Sequence, residues 1–526
     1  MENNQRLSCI VPTNLTAFRS IILGMLLILV LAACGYGQPG LPTQTDVPTQ
    51  AVSQSPQGTL TPRSTRPASR YVTRTPTSGP PQPTATPVKT LDVVPEELSG
   101  QKITFWHPWQ GQLGDVMQII IDEYNRTNRF GVKVEIRTFD SFASLEQAFD
   151  TALATGDPPS LLAAYDDRTQ HWDQGGQTLV NLQAYAGDPI WGLSPEEQAD
   201  FNPTFWQQGT SYLRDNRGGV TSRQVSIPLH RSELVLFYNQ SWAVELGHTD
   251  YPDTPSELRN QVCDASRTNR GTEEDSQTGG LMISSLPAST PGKEILLQPE
   301  QLLGWIGAFG GQVSLPEGEG YQFNTPEAQR ALEFLKDLQQ DGCVYLSDSP
   351  TPADEFAARQ GLIYIASTTD LVSIKAAFNA AESQDEWIML PFPTANGAAT
   401  VVVHGPSLII PQTGRLQQLA AWTLLEWLVY PPNQARWVQE VGAYPTRYST
   451  SVFLEPAITA DPAWAVGLEL LPNALAEPPL ASWSVVRWMM GDALAELFTA
   501  GFEPEQISDL LESLDRLAAE INNQVR

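Results

Sequence analysis

Four cysteines and five histidines hold most of this chain's capacity for nucleophilic or metal chemistry, and their spacing narrows what they can do. His107, His171, His230, His248 and His404 are scattered and no Cys-x-x-Cys occurs, so no metal is expected. Cys9 and Cys34 lie near the amino end, which leaves Cys263 and Cys343 as a pair far downstream. In an exported protein such a pair suggests one disulfide. It would close a loop of about 80 residues and stabilise the fold by about 4 kcal/mol through chain entropy; two unpaired buried thiols are the alternative. The remaining chemistry belongs to carboxylates. Asp166 and Asp167 are adjacent, and a glycoside hydrolase needs two carboxyl groups about 5 Å or about 6.5–9.5 Å apart in one cleft. No Gly-x-Ser-x-Gly elbow, zinc signature or phosphate loop accompanies them, so neither catalysis nor a cofactor is expected. A formal charge of −28 argues against nucleic acid or an anionic lipid surface as partner.

These residues must be carried by something, and the amino end says where. Arg19 leads into an apolar run from Ile21 to Ala33, about 13 residues, too short to cross about 30 Å of hydrocarbon as a helix and suited to a secretory signal. The run ends in Leu31-Ala32-Ala33-Cys34-Gly35, and Leu-Ala-Ala-Cys resembles the bacterial lipobox. That resemblance implies loss of residues 1–33, a diacylglycerol on the Cys34 thiol and a protein held at the outer face of the cytoplasmic membrane. Two or three acyl chains anchor stably where one does not. An ordinary cleavage site before a cysteine is the alternative. Residues 34–96 are rich in Pro, Thr, Ser and Gln, with repeated Pro-Thr units and almost no aromatic residue. Such a segment cannot bury a core and reads as an extended stalk.

Residues 97–526 remain as a head large enough for two lobes. Lys102-Ile103-Thr104-Phe105-Trp106 reads as a strand. Val116, Ile119, Ile120 and Tyr124 then recur at helical spacing, and Val132 to Ile136 alternates as a second strand. Ser144 to Ala154 is a helix, stopped by Gly156-Asp157-Pro158-Pro159, and Ser160 to Tyr165 is a buried strand. Strand, helix, strand, helix, strand predicts an α/β lobe with a largely parallel sheet. Ligands then sit beyond the carboxyl ends of the strands, after Trp106, Ile136 and Tyr165. Further on, residues 225–238 form two apolar runs around a polar turn. Helices are expected over Ser256–Cys263, Glu300–Gly307, Pro326–Gln340, Ala420–Val429 and Gln506–Val525, and strands at 361–366 and 400–403.

The order of short motifs is the more specific signal. Glu123-Tyr124-Asn125, Ala154 to Pro159, Ile227-Pro228-Leu229-His230 leading into Val235 to Asn239, Gly342-Cys343, Gly361-Leu362-Ile363, Leu390-Pro391 and Gly442 to Arg447 follow one another over most of the head. In this the head resembles the extracellular solute-binding proteins of ABC importers, in the family that holds sugar, oligosaccharide and glycerol-phosphate binders. The resemblance implies an α/β, two-lobed periplasmic-binding-protein-like fold with a hinge and an interlobe cleft. Lobe 1 is expected at about 97–235 and 392–430, lobe 2 at about 236–391 and 431–526, with crossings near Leu234–Phe237, Leu390–Thr394 and Leu428–Pro432. It also implies a monomer that serves a membrane permease and closes on its ligand.

A pyranose presents apolar C–H faces and a rim of hydroxyls, so its site needs aromatic platforms and planar polar groups. The chain holds 14 tryptophans. Trp422 and Trp427 belong to an apolar helix and read as core. Trp109, in the polar turn at the end of the first strand, is the candidate platform, with His107 beside it as a donor; packing under the loop is the alternative. The family resemblance adds Phe142, where relatives tend to have a tyrosine, and Asp166 as an acceptor for ligand hydroxyls. It adds Arg231 and Ser232 in a turn of small polar contacts, Gly405 as a close backbone approach, and Tyr444 and Arg487. Arg487, like Arg231, is a natural partner for phosphate, with a structural salt bridge as the competing role. A neutral oligosaccharide is the first expectation for the ligand and glycerol-3-phosphate or its diester the second. An adhesion or sensing head without a permease is a third.

Overall fold

A computed structural model describes Leu91 and residues 93–525, apart from short segments at 215–216, 218, 273–277, 287–295 and 396–399. Cys34, the expected signal sequence and all but the end of the expected stalk lie outside the described residues. The folded part is already established by Val93, which is buried along with Leu98. Leu91 N–H donates to Asp188 (2.7 Å), Trp191 Nε1 donates to the Val93 carbonyl (3.0 Å), and Glu97 pairs with Arg415 (3.3 Å).

In chain order the strands are β1 (Lys102–His107), β2 (Lys133–Thr138), β3 (Leu161–Ala164), β4 (Thr210–Arg214), β5 (Val220–Gln224), β6 (Ile227–Pro228), β7 (Ser232–Asn239) and β8 (Leu281–Leu286). They continue as β9 (Leu296–Leu297), β10 (Val344–Ser347), β11 (Ile363–Ser367), β12 (Trp387–Leu390), β13 (Val401–His404), β14 (Ser407–Ile409) and β15 (Ala474–Ala476). One sheet runs β2-β1-β3-β14-β6, parallel from β2 to β3 and antiparallel beyond. It defines lobe 1. The other runs β10-β8-β11-β7-β13-β15, with β12 also paired to β7 and β9 to β8, and defines lobe 2. Hairpin β4-β5 stands apart.

The residues account for these elements. Strand β7 is buried along its whole length: Leu234, Leu236 and Tyr238 face one core, Val235 and Phe237 the other. A strand covered on both faces reads as the continuous apolar run seen in the sequence. The Gly111–Thr127 helix buries Met117, Ile120, Ile121 and Tyr124, while Ile119 is 55% exposed. The stripe is therefore rotated from the expected one, because three successive isoleucines leave the choice of face to packing. Ser141 caps the next helix, Phe142–Thr155, through the Ser144 N–H (3.1 Å). Cys263, on the Pro255–Thr272 helix, and Cys343, just before β10, form a disulfide within lobe 2 with Cα atoms 4.8 Å apart.

The chain passes between lobes at places other than those expected. The first crossing is Leu229–Arg231, between β6 and β7, because all of β7 belongs to lobe 2. The second is Gly405–Pro406, between β13 and β14; β12 stays in lobe 2, paired to β7. The third follows Arg447. Pro431-Pro432 does not end lobe 1: it occupies the first turn of a new helix, Pro431–Val441, where proline is well tolerated. That helix packs on lobe 1, with Arg436 paired to Glu123 (2.7 Å) and Trp437 against Trp109. Arg447 likewise pairs with Asp200 (2.7 Å).

Glu233, second residue of β7, is fully buried and neither carboxyl oxygen has a partner among the described residues. Its own N–H donates to Thr368 Oγ1 (3.0 Å). Burial pushes this carboxyl well above the usual range, so the native state keeps a proton that the unfolded chain releases above about pH 4. The associated stability is complete below the unfolded value and is lost as pH rises toward the folded one. A Glu233→Gln variant has no such proton to lose. Urea titrations at about pH 5 and about pH 8 should therefore shift in favour of the glutamine variant at the higher pH, by up to about 1.4 kcal/mol per unit. Parallel pH profiles for the two proteins would refute this account.

Candidate functional site

Where the two lobes face each other, a narrow pocket with a cavity volume of about 10 Å³ in this arrangement opens beside the Gly405 crossing. Its lobe 1 wall is Tyr165, Asp166 and Asp167, directly after β3, together with Gln208 at the end of the Pro203–Gln208 helix. The lobe 2 wall is Glu477, Pro478 and Pro479, directly after β15, together with Trp483 at the start of the Trp483–Leu497 helix. Of the three strand ends expected to face ligand, only the one after β3 lines this pocket.

Gly405 is required for steric reasons. Its φ is 155°, and a Cβ there would lie 2.5 Å from the His230 carbonyl oxygen and 3.1 Å from Arg231 Cα. The two crossing segments thus pass in backbone contact, as Leu229 N–H donating to the Pro406 carbonyl (3.2 Å) also shows. Arg231, expected at the ligand, is instead fully buried behind the pocket. All five of its N–H groups are engaged: Nε with Gln208 (2.8 Å), Nη1 with the carbonyls of His230 (2.9 Å) and Pro406 (3.1 Å), Nη2 with Asp166 (2.8 Å) and Ser407 (3.0 Å). Its backbone pairs with Tyr444 in both directions. Asp166 lines the pocket as expected but is occupied, accepting from Arg231, Ser407 (3.1 Å) and Ser226 (2.6 Å).

Other candidates lie away from the pocket. His107 and Trp109 are buried and stacked on each other at 5.0 Å, with Trp109 edge-on to Trp437 at 4.6 Å. Trp437 Nε1 donates to His230 Nδ1 (3.0 Å). Burial lowers His107 to about 4 and His230 to about 3, so both rings are neutral parts of an aromatic core. Tyr444 is fully buried, stacked on Trp464 at 5.4 Å, its hydroxyl donating to the Trp464 carbonyl (3.2 Å). Ser232 is buried in β7 opposite His404. Phe142 sits one layer back, 4.6 Å from the Tyr165 ring.

Arg487 is close to the pocket electrostatically, its charge acting on Asp167, Tyr165 and Glu477. Its Nη2 is paired with Glu300, and the guanidinium lies 5.2 Å from the Trp488 ring. Trp483 Nε1 donates to Glu477 (3.1 Å) and orients that carboxylate. Burial pushes Asp167 up, reinforced by Glu477 and opposed by Arg487; it pushes Glu477 up as well, again opposed by Arg487. Tyr165, Asp167, Gln208, Glu477 and Trp483 were not singled out as ligand contacts from the sequence. Glu477-Pro478-Pro479 was the available signal, a carboxylate held in a stiff loop.

Residues 120–466 match the model of a family described as bacterial extracellular solute-binding protein. A curated relative, the sn-glycerol-3-phosphate-binding periplasmic protein UgpB of Yersinia pestis, is 22% identical over 375 residues, 68% of this chain and 76% of its own. Among solved structures, the cyclic alpha-maltosyl-1,6-maltose binding protein from Arthrobacter globiformis superposes with a TM-score of 0.64 at 18% identity, covering 81% of this chain and 100% of that one. UgpB from Mycobacterium tuberculosis, in complex with glycerophosphocholine, gives 0.59 at 19% identity, covering 81% and 99%.

Proposed function

This chain belongs to the bacterial extracellular solute-binding proteins, and on that premise we propose that it captures a hydroxylated small molecule of the carbohydrate class between its lobes and delivers it to a membrane permease. The observation that carries the proposal is the pocket itself: aromatic Tyr165 and Trp483, the Gln208 amide and the carboxylates of Asp167 and Glu477 converge from both lobes beside a backbone crossing. Aromatic faces suit the C–H surfaces of a sugar, and carboxylate and amide groups suit its hydroxyls. Because each lobe supplies part of the contact set, binding favours the closed arrangement of the lobes. The family and its structural neighbours are binding proteins rather than enzymes. Asp166, engaged by Arg231, Ser226 and Ser407, is poorly suited to paired acid and base chemistry with Asp167. We place the protein outside the cytoplasm as a monomer, held at the membrane through a lipid on Cys34.

Glycerol-3-phosphate, the ligand in the name of the curated relative, is the weaker reading. Arg231 has every N–H engaged, and Arg487, though paired with Glu300 through Nη2 alone and with its Nε unpartnered among the described residues, stands among the carboxylates of Asp167 and Glu477, which repel a phosphate.

Calorimetric titration of the purified protein with mono- and oligosaccharides, polyols and glycerol-3-phosphate tests the proposal. A saccharide or polyol should bind, and at a hundred times its dissociation constant it should add about 2.7 kcal/mol to stability. Tyr165→Ala should weaken that binding about tenfold or more, near 1.4 kcal/mol, with little change in stability because Tyr165 is only half-buried. Binding of glycerol-3-phosphate alone would transfer the function to the weaker reading, and absence of binding by any of these compounds would defeat it.

A further inference from the structure

The charges around the pocket do not balance. Its charged lining residues, Asp166, Asp167 and Glu477, are all acidic. Two guanidiniums stand close by, and each is matched to a carboxylate: Arg231 to Asp166 and Arg487 to Glu300. Arg487 also acts on Glu477 and Asp167, so two guanidiniums face the four carboxylates of Asp166, Asp167, Glu300 and Glu477, and two negative charges are left over, shared between Asp167 on one lobe and Glu477 on the other. Arg168, next in the chain, turns the other way to Glu146 (3.0 Å) and Asp150 (3.7 Å). His404, beside Glu477 and Arg487, is held neutral by burial and supplies no charge. Tyr165 and the Trp483 indole are neutral, and Trp483 donates only one hydrogen bond, to Glu477.

We infer that the solute carries an ammonium group on its hydroxylated frame, and that this group sits between Asp167 and Glu477. The inference rests on the carbohydrate-class reading above and specifies the chemistry of the ligand. A cation placed between the two carboxylates removes the repulsion that otherwise opposes approach of the lobes. An anionic ligand adds to that repulsion, and a neutral one leaves it standing. The walls suit such a group, because Tyr165 and Trp483 present aromatic rings to it and the rings attract cations. Pro478 and Pro479 contribute apolar surface that limits water at the carboxylates. The burial that pushes both carboxyls up also means that a cation favours their ionised forms, so binding releases protons.

The test is calorimetric titration of the full chain with maltose, cellobiose and sorbitol, and with the counterparts in which a primary amine replaces one primary hydroxyl. Such an amine remains protonated across neutral pH, so pH reports on the protein's carboxyls alone. An aminodeoxy compound should bind at least about tenfold tighter than its parent at about pH 7. Its affinity should fall as pH is lowered through the range in which the two carboxyls take up protons, and in that range binding should release protons to the buffer. Glu477→Gln and Asp167→Asn, each checked for an unchanged melting point, should abolish the preference for the amine. Equal or tighter binding of the neutral parents overturns the inference and leaves the carbohydrate-class reading intact. Amine binding indifferent to both substitutions also overturns it. Binding of glycerol-3-phosphate alone, or of nothing, overturns both.

Discussion

An Arg231→Leu variant is expected to lose about 3–5 kcal/mol of stability, measured as a lowered urea midpoint at unchanged slope. The loss comes from what the side chain leaves behind more than from what it takes away. Asp166 keeps its charge in a site where its side chain is only 12% exposed, and Gln208, Ser407 and the carbonyls of His230 and Pro406 lose a donor. Breaking one half of a buried pair is costly for this reason. Arg231→Lys should recover little, since an ammonium has three donors and no planar fork to span acceptors on four segments. The double variant Arg231→Leu, Asp166→Asn should be more stable than the single one, because the stranded charge is gone. An Arg231→Leu protein as stable as the wild type would show that the guanidinium does not secure the crossing.

Removing the disulfide is the second large effect. Replacing Cys263 and Cys343 by serine frees a loop of 80 residues in the unfolded chain, which costs about 4 kcal/mol in the chain-entropy model. Both cysteines are buried in lobe 2, so the loss should concentrate there, with hydrogen exchange rising in the Pro255–Thr272 helix and β10 and little changed in β1 to β3. Reduction of the wild-type protein should reproduce the effect. A uniform loss of protection across both lobes would contradict this localisation.

How far these features could be read from residues alone depended on how local their causes are. The β1 to β3 succession and the Pro326–Gln340 helix follow from short-range periodicity, and the structure places them within a few residues of expectation. The disulfide was legible because the head contains only two cysteines. For Trp109 the structure shows the packing alternative, which the polar turn around it conceals in sequence, because Trp437, more than 300 positions on, covers it. Arg231 looked like a ligand contact because none of its acceptors at Asp166, Gln208 or Ser407 is a chain neighbour. Glu477 escaped notice because β15 is three residues long, too short for alternation to register. The pocket is assembled from separations of this kind, which is why its fold-level position was readable and its side chains were not.

The docking of residues 91–98 has a mechanical consequence. Asp188, Trp191 and Arg415, which receive that segment, all belong to lobe 1. Tension applied at the amino end therefore enters lobe 1, short of the Gly405 and Arg231 crossings. The other lobe, carrying Glu477 and Trp483, lies outside that load path. The tether proposed at Cys34 would pull on lobe 1 alone and would leave closing to the ligand.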